Sequence, residues 1–388
     1  MLGLFQNKSF KRASVVVTLF LFYLSHTNAQ KDFKGRVIDA KTNEPIPFVN
    51  IGIIEAGVGT VSDEEGLFHL YLEPNKFESN TQILFSALGY ETFYIPISEI
   101  KFVYNKYPDI SLKPSLVELN EVVVSNKGER FITDNIGYRN YGVKNYGYWK
   151  DNIALGGELA TRIVAKNGLR RLNQFEFEVW HNPSDSLLLR VNIYENDGTI
   201  GKPGTNLNTS GENILTVVKK EDRIVKVDLS PFNIFTKSDF IISLELLKVY
   251  GEEDLGLILS ATLNGYGSYR KYASQDKWEW LSDLNMAYYV KSQLMVSEKF
   301  ANRFEKRQQK INQKKRTVSG FVILRGKMIS GVSVFNNTTK ESVLSGDGGR
   351  YLIPAKKGDI LTFSKKGLEN FNVKITDKPT RNVSMSRK

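Results

Sequence analysis

Chemistry in this chain has few places to reside. Once His26 is set aside with the leader described below, His69 and His181 are the only imidazoles, and neither is followed by Glu at the third position. A zinc hydrolase, which needs His and Glu ligands around an activated water, therefore lacks its ligand set. No cysteine is present, which excludes thiol nucleophiles, and no serine stands in a Gly-x-Ser-x-Gly elbow. Glu176 and Glu178 sit at i and i+2, a spacing that puts both carboxylates on one face of a strand as a glycosidase pair would be. The alternation with Phe175 and Phe177 instead makes theirs the solvated face opposite a core. The acidic run Glu252-Glu253-Asp254 has the oxygen ligands calcium favours but reads as an exposed hairpin tip. We expect no catalytic residue, no metal and no cofactor.

Aromatic residues offer more. Sugars bind on flat aromatic faces flanked by polar groups that bond their hydroxyls. Candidate ligand-binding platforms are Tyr148 and Trp149, beside Tyr146 in a Gly-rich segment, then Tyr269 and Tyr272 beside Tyr266, and Trp278 with Trp280. The competing expectation is structural: Trp180 on a core face and Trp278 capping one end of a sandwich, because Trp is highly buried on average.

The elements that must position these residues are strands. Within residues 130–296, β-rich runs recur at 159–164, 174–181, 187–194, 214–218, 224–229, 240–247, 257–263 and 287–294, enough for two antiparallel sheets in a jelly-roll-like sandwich. The strand Arg190-Val191-Asn192-Ile193-Tyr194-Glu195 with the loop Gly201-Lys202-Pro203-Gly204, and the segment from Tyr269 to Trp278, resemble carbohydrate-binding and adhesin-type jelly rolls. The likeness implies a binding module and supplies no residue-level site.

On either side of this region one pattern occurs twice. Gly35-Arg36-Val37, Val49-Asn50-Ile51, the turn Thr60-Val61-Ser62-Asp63-Glu64-Glu65-Gly66-Leu67-Phe68 and Ile83-Leu84-Phe85-Ser86-Ala87-Leu88-Gly89-Tyr90 are matched by Gly320-Phe321-Val322, Val332-Ser333-Val334, Ser345-Gly346-Asp347-Gly348-Gly349-Arg350-Tyr351 and Ile360-Leu361-Thr362-Phe363-Ser364-Lys365-Lys366-Gly367-Leu368. Asp63 and Asp347 are read as the turn formers, each ahead of a Gly. The pattern resembles the carboxypeptidase regulatory-like domain, a small transthyretin-like β-sandwich of cell-envelope proteins in Bacteroidetes-type bacteria. The second copy is degenerate, with Leu368 at the usual aromatic position. The resemblance implies the non-catalytic part of such peptidases. The segment Leu119-Asn120-Glu121-Val122-Val123-Val124 is similar to the strand that follows this domain in TonB-dependent outer-membrane receptors, but 388 residues are too few for a barrel of about 22 strands. What carries over is residence beside the outer membrane.

Lys8, Lys11 and Arg12, an apolar stretch over 13–24 and a small residue at Ala29 read as a secretory signal peptide. The expected organisation is a signal peptide at 1–29, a regulatory-like sandwich at 30–116, a linker strand at 117–129, the jelly-roll-like sandwich at 130–296, a basic helical linker at 297–316 and the second sandwich at 317–388. In that linker Phe300, Phe304 and Ile311 share a helical face. Residues 297–388 hold 21 Lys and Arg against 7 Asp and Glu, a net +14. For an exported chain without nucleic-acid reading motifs this points to solubility or an anionic envelope surface, and no nucleic acid is expected. The chain is thus expected to be all-β, non-enzymatic and exported to the periplasm or cell surface. It would bind a glycan or an envelope protein, with peripheral outer-membrane association; the alternative is a structural adaptor without a small ligand.

Overall fold

Alternation shapes the first sandwich. Along Leu67–Leu72 the side chains of Phe68, Leu70 and Leu72 enter a core while His69 and Tyr71 face solvent. The computed structural model describes residues 31–100, 108–115, 128–140, 146–150, 155–251, 256–263, 265–282, 284–313 and 316–388. The leader, the 119–124 strand and the run Glu252-Glu253-Asp254 lie outside the described residues. The described residues fall into two compact units, one drawn from 31–126 with 131–295, the other from 127–130 with 296–388.

In the first sandwich, Lys31–Asp39 lies between an antiparallel neighbour, Leu67–Leu72, and a parallel one, Asp109–Leu112. The facing sheet runs Val58–Val61, Asn50–Ile53, Gln82–Ser86, Phe93–Pro96. Phe33, Phe68 and Phe85 meet edge to face between them, at centroid distances of 5.3 and 5.6 Å.

The second sandwich repeats this strand for strand. Arg316–Leu324 pairs antiparallel with Arg350–Ala355 and parallel with Val383–Met385, and the facing sheet runs Ser342–Leu344, Ser333–Asn336, Ile360–Ser364, Phe371–Lys374. The registers agree, since Gly35 opposes Phe68 as Gly320 opposes Tyr351. A shared hydroxyl clamp confirms the alignment. Ser62 Oγ accepts from the Val49 N–H at 2.9 Å and donates to the Ile46 carbonyl at 3.2 Å; Ser345 Oγ does the same between Val332 and Ile329, at 3.0 Å each. The alignment corrects the turn reading. Asp63, whose carboxylate accepts from the N–H groups of Glu65 and Leu67, is matched by Gly346 and not by Asp347.

The central module is a sandwich of two sheets. Six strands run in the order Leu215–Lys219, Ser186–Glu195, Phe240–Tyr250, Glu158–Ile163, Ser268–Lys271, Glu279–Leu281. They face a nine-stranded sheet built on Tyr146–Lys150, Gly256–Thr262, Arg170–His181 and Tyr289–Ser297. Leu187, Leu189, Val191 and Ile193 pack inward against Phe175, Phe177 and Val179. Every other residue of Ser186–Glu195 therefore looks away from that core: Leu188, Arg190, Asn192 and Tyr194. Glu176 departs from its expected solvated place. It is buried, held by Lys291 at 2.9 Å and Arg139 at 2.9 Å, and serves an ion cluster. Trp180 is half-buried and opposite the core face.

In the second unit the helix Glu298–Gln313 stacks Phe300 on Phe304 with ring centroids 6.5 Å apart. Ala301 is fully buried, and Arg130 fastens the helix through Asn302 and Glu305 at 2.8 and 2.9 Å. Among the described residues no helix is long and apolar enough to cross a membrane.

Candidate functional site

The outward face of the six-stranded sheet carries charges that water does not reach. Glu158 and Glu245 are fully buried there, and Arg190 and Asn192 nearly so. Burying charge is costly unless each group is paired and bonded. Arg190 meets that condition with all five of its N–H donors. Nε and Nη2 form a fork on Glu245, each at 2.8 Å; the remaining donors reach the Asn213 side chain at 3.1 Å, the Asn50 side chain at 3.0 Å and the Phe48 carbonyl at 2.9 Å. Burial pushes the Glu245 carboxyl up, but the Arg190 charge outweighs it and holds Glu245 below the ordinary glutamate range. Glu158 is satisfied in turn by Lys271 and Ser243 at 2.5 Å each, Tyr194 at 3.1 Å and Asn192 at 3.3 Å.

Phe48 and Asn50 belong to the first sandwich, so this network is a junction. Beside it Phe48 and Val61 pack on Leu188 and Leu247 of the central module. On the other flank the hairpin Asn50–Ile53/Val58–Val61 lies directly on Ser274. Gly52 and Gly59 oppose each other across the hairpin, and a Cβ on either would stand 2.7 or 2.1 Å from the Ser274 carbonyl oxygen. Only bare backbone fits that approach. The Glu55 N–H bonds the Gln275 carbonyl at 2.9 Å, and the Asp276 carboxylate accepts from the Gly57 N–H at 3.0 Å.

The second sandwich has the same backbone without these groups. The aligned positions of Phe48, Asn50, Gly52 and Gly59 are Gly331, Ser333, Phe335 and Ser342. The first of these is telling. Its φ is +65° at Gly331 and +57° at Phe48, so the fold asks for a left-handed residue and the first copy supplies a strained Phe. The strain is tolerated because Phe48 points its ring and its carbonyl into the junction.

Between the two parts lies a cleft of about 270 Å³, walled by Asn50, Ser86 and Leu88 from the first sandwich and by Asn192, Asn206 and Gln275 from the central module. A larger open groove of about 750 Å³ runs past His69, Tyr71 and Lys248. Among the described residues no group of His, Asp and Glu could hold a metal.

The aromatic candidates scatter. Trp280 and Tyr266 are both 61% exposed and adjacent, with Trp280 Nε1 donating to the Tyr266 carbonyl at 3.4 Å. Tyr272 is half-buried under the Arg270 guanidinium at 4.6 Å. Trp278 is half-buried, edge-on to Tyr194 at 6.2 Å and 4.9 Å from the Lys271 ammonium. Tyr269 is 6% exposed and donates its hydroxyl to the Gly201 carbonyl at 3.0 Å, so its ring offers no open face. Tyr148 and Trp149 lie on the strand Tyr146–Lys150, opposite Ile258 and Leu257, and their side chains lie outside the described part of the structure. Sequence reasoning quoted the strand from Arg190 to Glu195 without a site on it and missed the Arg190–Glu245 pair and Glu158, because a polar outward face carries no mark of what covers it.

Comparison with known proteins agrees with the first sandwich. Residues 33–124 match the model of the CarboxypepD_reg-like domain. A TonB-dependent receptor of Formosa agariphila is 34% identical over 128 residues, which is 32% of this chain and 11% of that receptor. This chain therefore matches only about a tenth of that relative's length. Among solved structures, the cysteine protease and lectin-like domains of Cwp84 from Clostridium difficile align with 68% of this chain and 63% of theirs, at 11% identity and a TM-score of 0.29. The major pilin subunit BcpA of Bacillus cereus aligns with 92% of this chain and 99% of its own, at 9% identity and a TM-score of 0.16. At those TM-scores neither likeness bears on fold or function.

Proposed function

We propose that this chain is a non-enzymatic exported protein of the cell envelope, in the periplasm or at the surface, whose first sandwich and central module act together as a binding module for a glycan or protein partner. The observation that carries this reading is the junction itself. Two parts joined through a buried, fully bonded Arg190 present their shared cleft as a fixed shape, and preorganisation is what a recognition surface needs. The matched regulatory-like domain is non-catalytic in character, and of the acidic pair Glu176 and Glu178 the first member is engaged by Lys291 and Arg139. Exposed Trp280 and Tyr266 add an apolar, flat surface of the kind sugars use.

A second reading, a structural adaptor beside outer-membrane receptor complexes without a small ligand, is favoured by the stretch 34% identical to a TonB-dependent receptor. The two readings part on one experiment. The whole chain is passed over immobilised envelope polysaccharides and oligosaccharides, and the glycans are afterwards checked for cleavage. Saturable binding with intact glycans supports the binding module. Cleavage would sink it, and absence of binding across the panel transfers support to the adaptor.

A further inference from the structure

The cleft at the junction has its own chemistry. Its two cations are already answered: Arg190 forks onto Glu245, and Lys271 pairs with Glu158 at 2.5 Å. Two positive and two negative charges leave the floor neutral. What faces the cleft unanswered are amides. Among the described residues, Nδ2 of Asn50, Asn206 and Asn213 and the side-chain oxygens of Asn192 and Gln275 take no hydrogen bond, although the opposite end of each of these amides is bonded. Asn50 and Asn213 accept from Arg190, Asn192 donates to Glu245, Asn206 accepts from the Asn208 N–H, and Gln275 donates to Ser86. Each amide is therefore held by its bonded end, and all five residues line the cleft.

We propose that this cleft is a binding site for a neutral polyhydroxylated ligand, the terminal unit of an uncharged glycan. Three donors and two acceptors held in place match hydroxyl groups, which both donate and accept. A carboxylate or phosphate would find no free cation and would set its oxygens against those of Asn192 and Gln275. Tyr194 lines the same cleft and adds apolar ring surface beside the amides. At about 270 Å³ the cleft is just below the usual range for ligand pockets, which suits an end-on unit better than a chain lying along a groove. The first sandwich supplies Asn50, Ser86, Ala87 and Leu88 and the central module the larger share of the wall, so the site is complete only while the first sandwich is docked. It is absent from the second sandwich, where the counterpart of Asn50 is Ser333.

This inference rests on the glycan-binding reading above and narrows it to one place. The test is calorimetric titration of the whole chain with short neutral malto-, cello- and chito-oligosaccharides and with an oligogalacturonate of equal length. Two variants accompany it: Leu88→Trp, which fills the cleft from its rim, and Gln275→Met, which removes one amide at nearly constant shape. The expected result is binding of at least one neutral series, none of the acidic one, loss of binding in Leu88→Trp and about tenfold weakening in Gln275→Met, with both variants still folded by circular dichroism. Neutral-sugar binding that survives Leu88→Trp would overturn the assignment to this cleft while leaving the binding-module reading intact. No neutral-sugar binding by the parent chain would overturn this inference, and the binding-module reading is then decided by the envelope-polysaccharide panel above.

Discussion

The Arg190 guanidinium donates to the Phe48 carbonyl at 2.9 Å, although the two residues stand 142 positions apart. That single bond joins two structural choices that look unfavourable alone: a buried cation on the outer face of a sheet, and a Phe in left-handed backbone geometry. Each is stabilised by the other, which is why both occur in the first sandwich and its partner, and why the second sandwich has Gly331 at the same backbone position.

Replacing Arg190 with Met leaves Glu245 charged, buried and unpaired, so the variant should lose about 3–5 kcal/mol of stability. The double variant Arg190→Met/Glu245→Leu should recover most of that loss. Chemical denaturation of the four proteins in the cycle checks this. A double variant no better than the single one would mean that the ion pair is not the unit that matters.

Phe48 can be probed by a pair of substitutions that separate packing from strain. Both Phe48→Ala and Phe48→Gly remove the ring from its place against Val61, Leu188 and Leu247, a loss of about 3 kcal/mol for Ala. Gly also relieves the positive φ, which recovers about 1 kcal/mol. The expected order of stability is parent, then Phe48→Gly, then Phe48→Ala; inversion of the last two contradicts the strain argument.

Gly59→Val should undock the first sandwich without unfolding it. Its Cβ would stand 2.1 Å from the Ser274 carbonyl oxygen, while the hairpin strand itself accepts a β-branched residue well. The expected signature is new protease sensitivity around 274–276 with the strand signal in circular dichroism preserved. Ser342→Val, at the aligned position of the second sandwich, should leave that region protected.

Acid should loosen the junction from a defined side. Glu245 is held below its ordinary range because the Arg190 charge outweighs burial, and Glu64 is lowered by its bond to Lys248. A depressed carboxyl contributes stability that is complete above its unfolded pKa, about 4.3, and is lost as pH falls through the lower folded value. Melting temperature should therefore be nearly flat from about pH 7 to 5 and fall below about pH 4. Arg190→Met should flatten the acid limb. A loss centred near pH 6.5 would point to another group.

Much of the fold was legible in the strand alternation and in turn chemistry. The runs at 187–194 and 240–247 mark real strands, and the twofold use of one sandwich follows from matched glycines and turns. The site was not legible, for a physical reason. Along Leu188, Arg190, Asn192 and Tyr194 a polar outward face looks the same whether water or another part of the chain covers it. The covering surface is recognisable only by what it lacks: Gly52 and Gly59, side-chain-free on a hairpin that elsewhere carries β-branched residues. The single-residue slip between Asp63 and Asp347 has a similar origin, because the aligned position holds Gly346 and the turn closes through backbone alone. Tyr269 misled for another reason, since an aromatic next to Arg and Lys reads as exposed, yet its hydroxyl finds the Gly201 carbonyl and its ring is covered.

The most direct test of the account is whether the first sandwich and the central module are one body. The chain has no cysteine, so Tyr71→Cys and Leu263→Cys, both at exposed positions, give two unique labelling sites, one on each part. Double electron–electron resonance between spin labels there should show one narrow distance distribution in the whole chain, broadening when Arg190→Met or Gly59→Val is added. A broad distribution in the parent chain, unchanged by either substitution, would contradict a docked junction and with it the binding cleft.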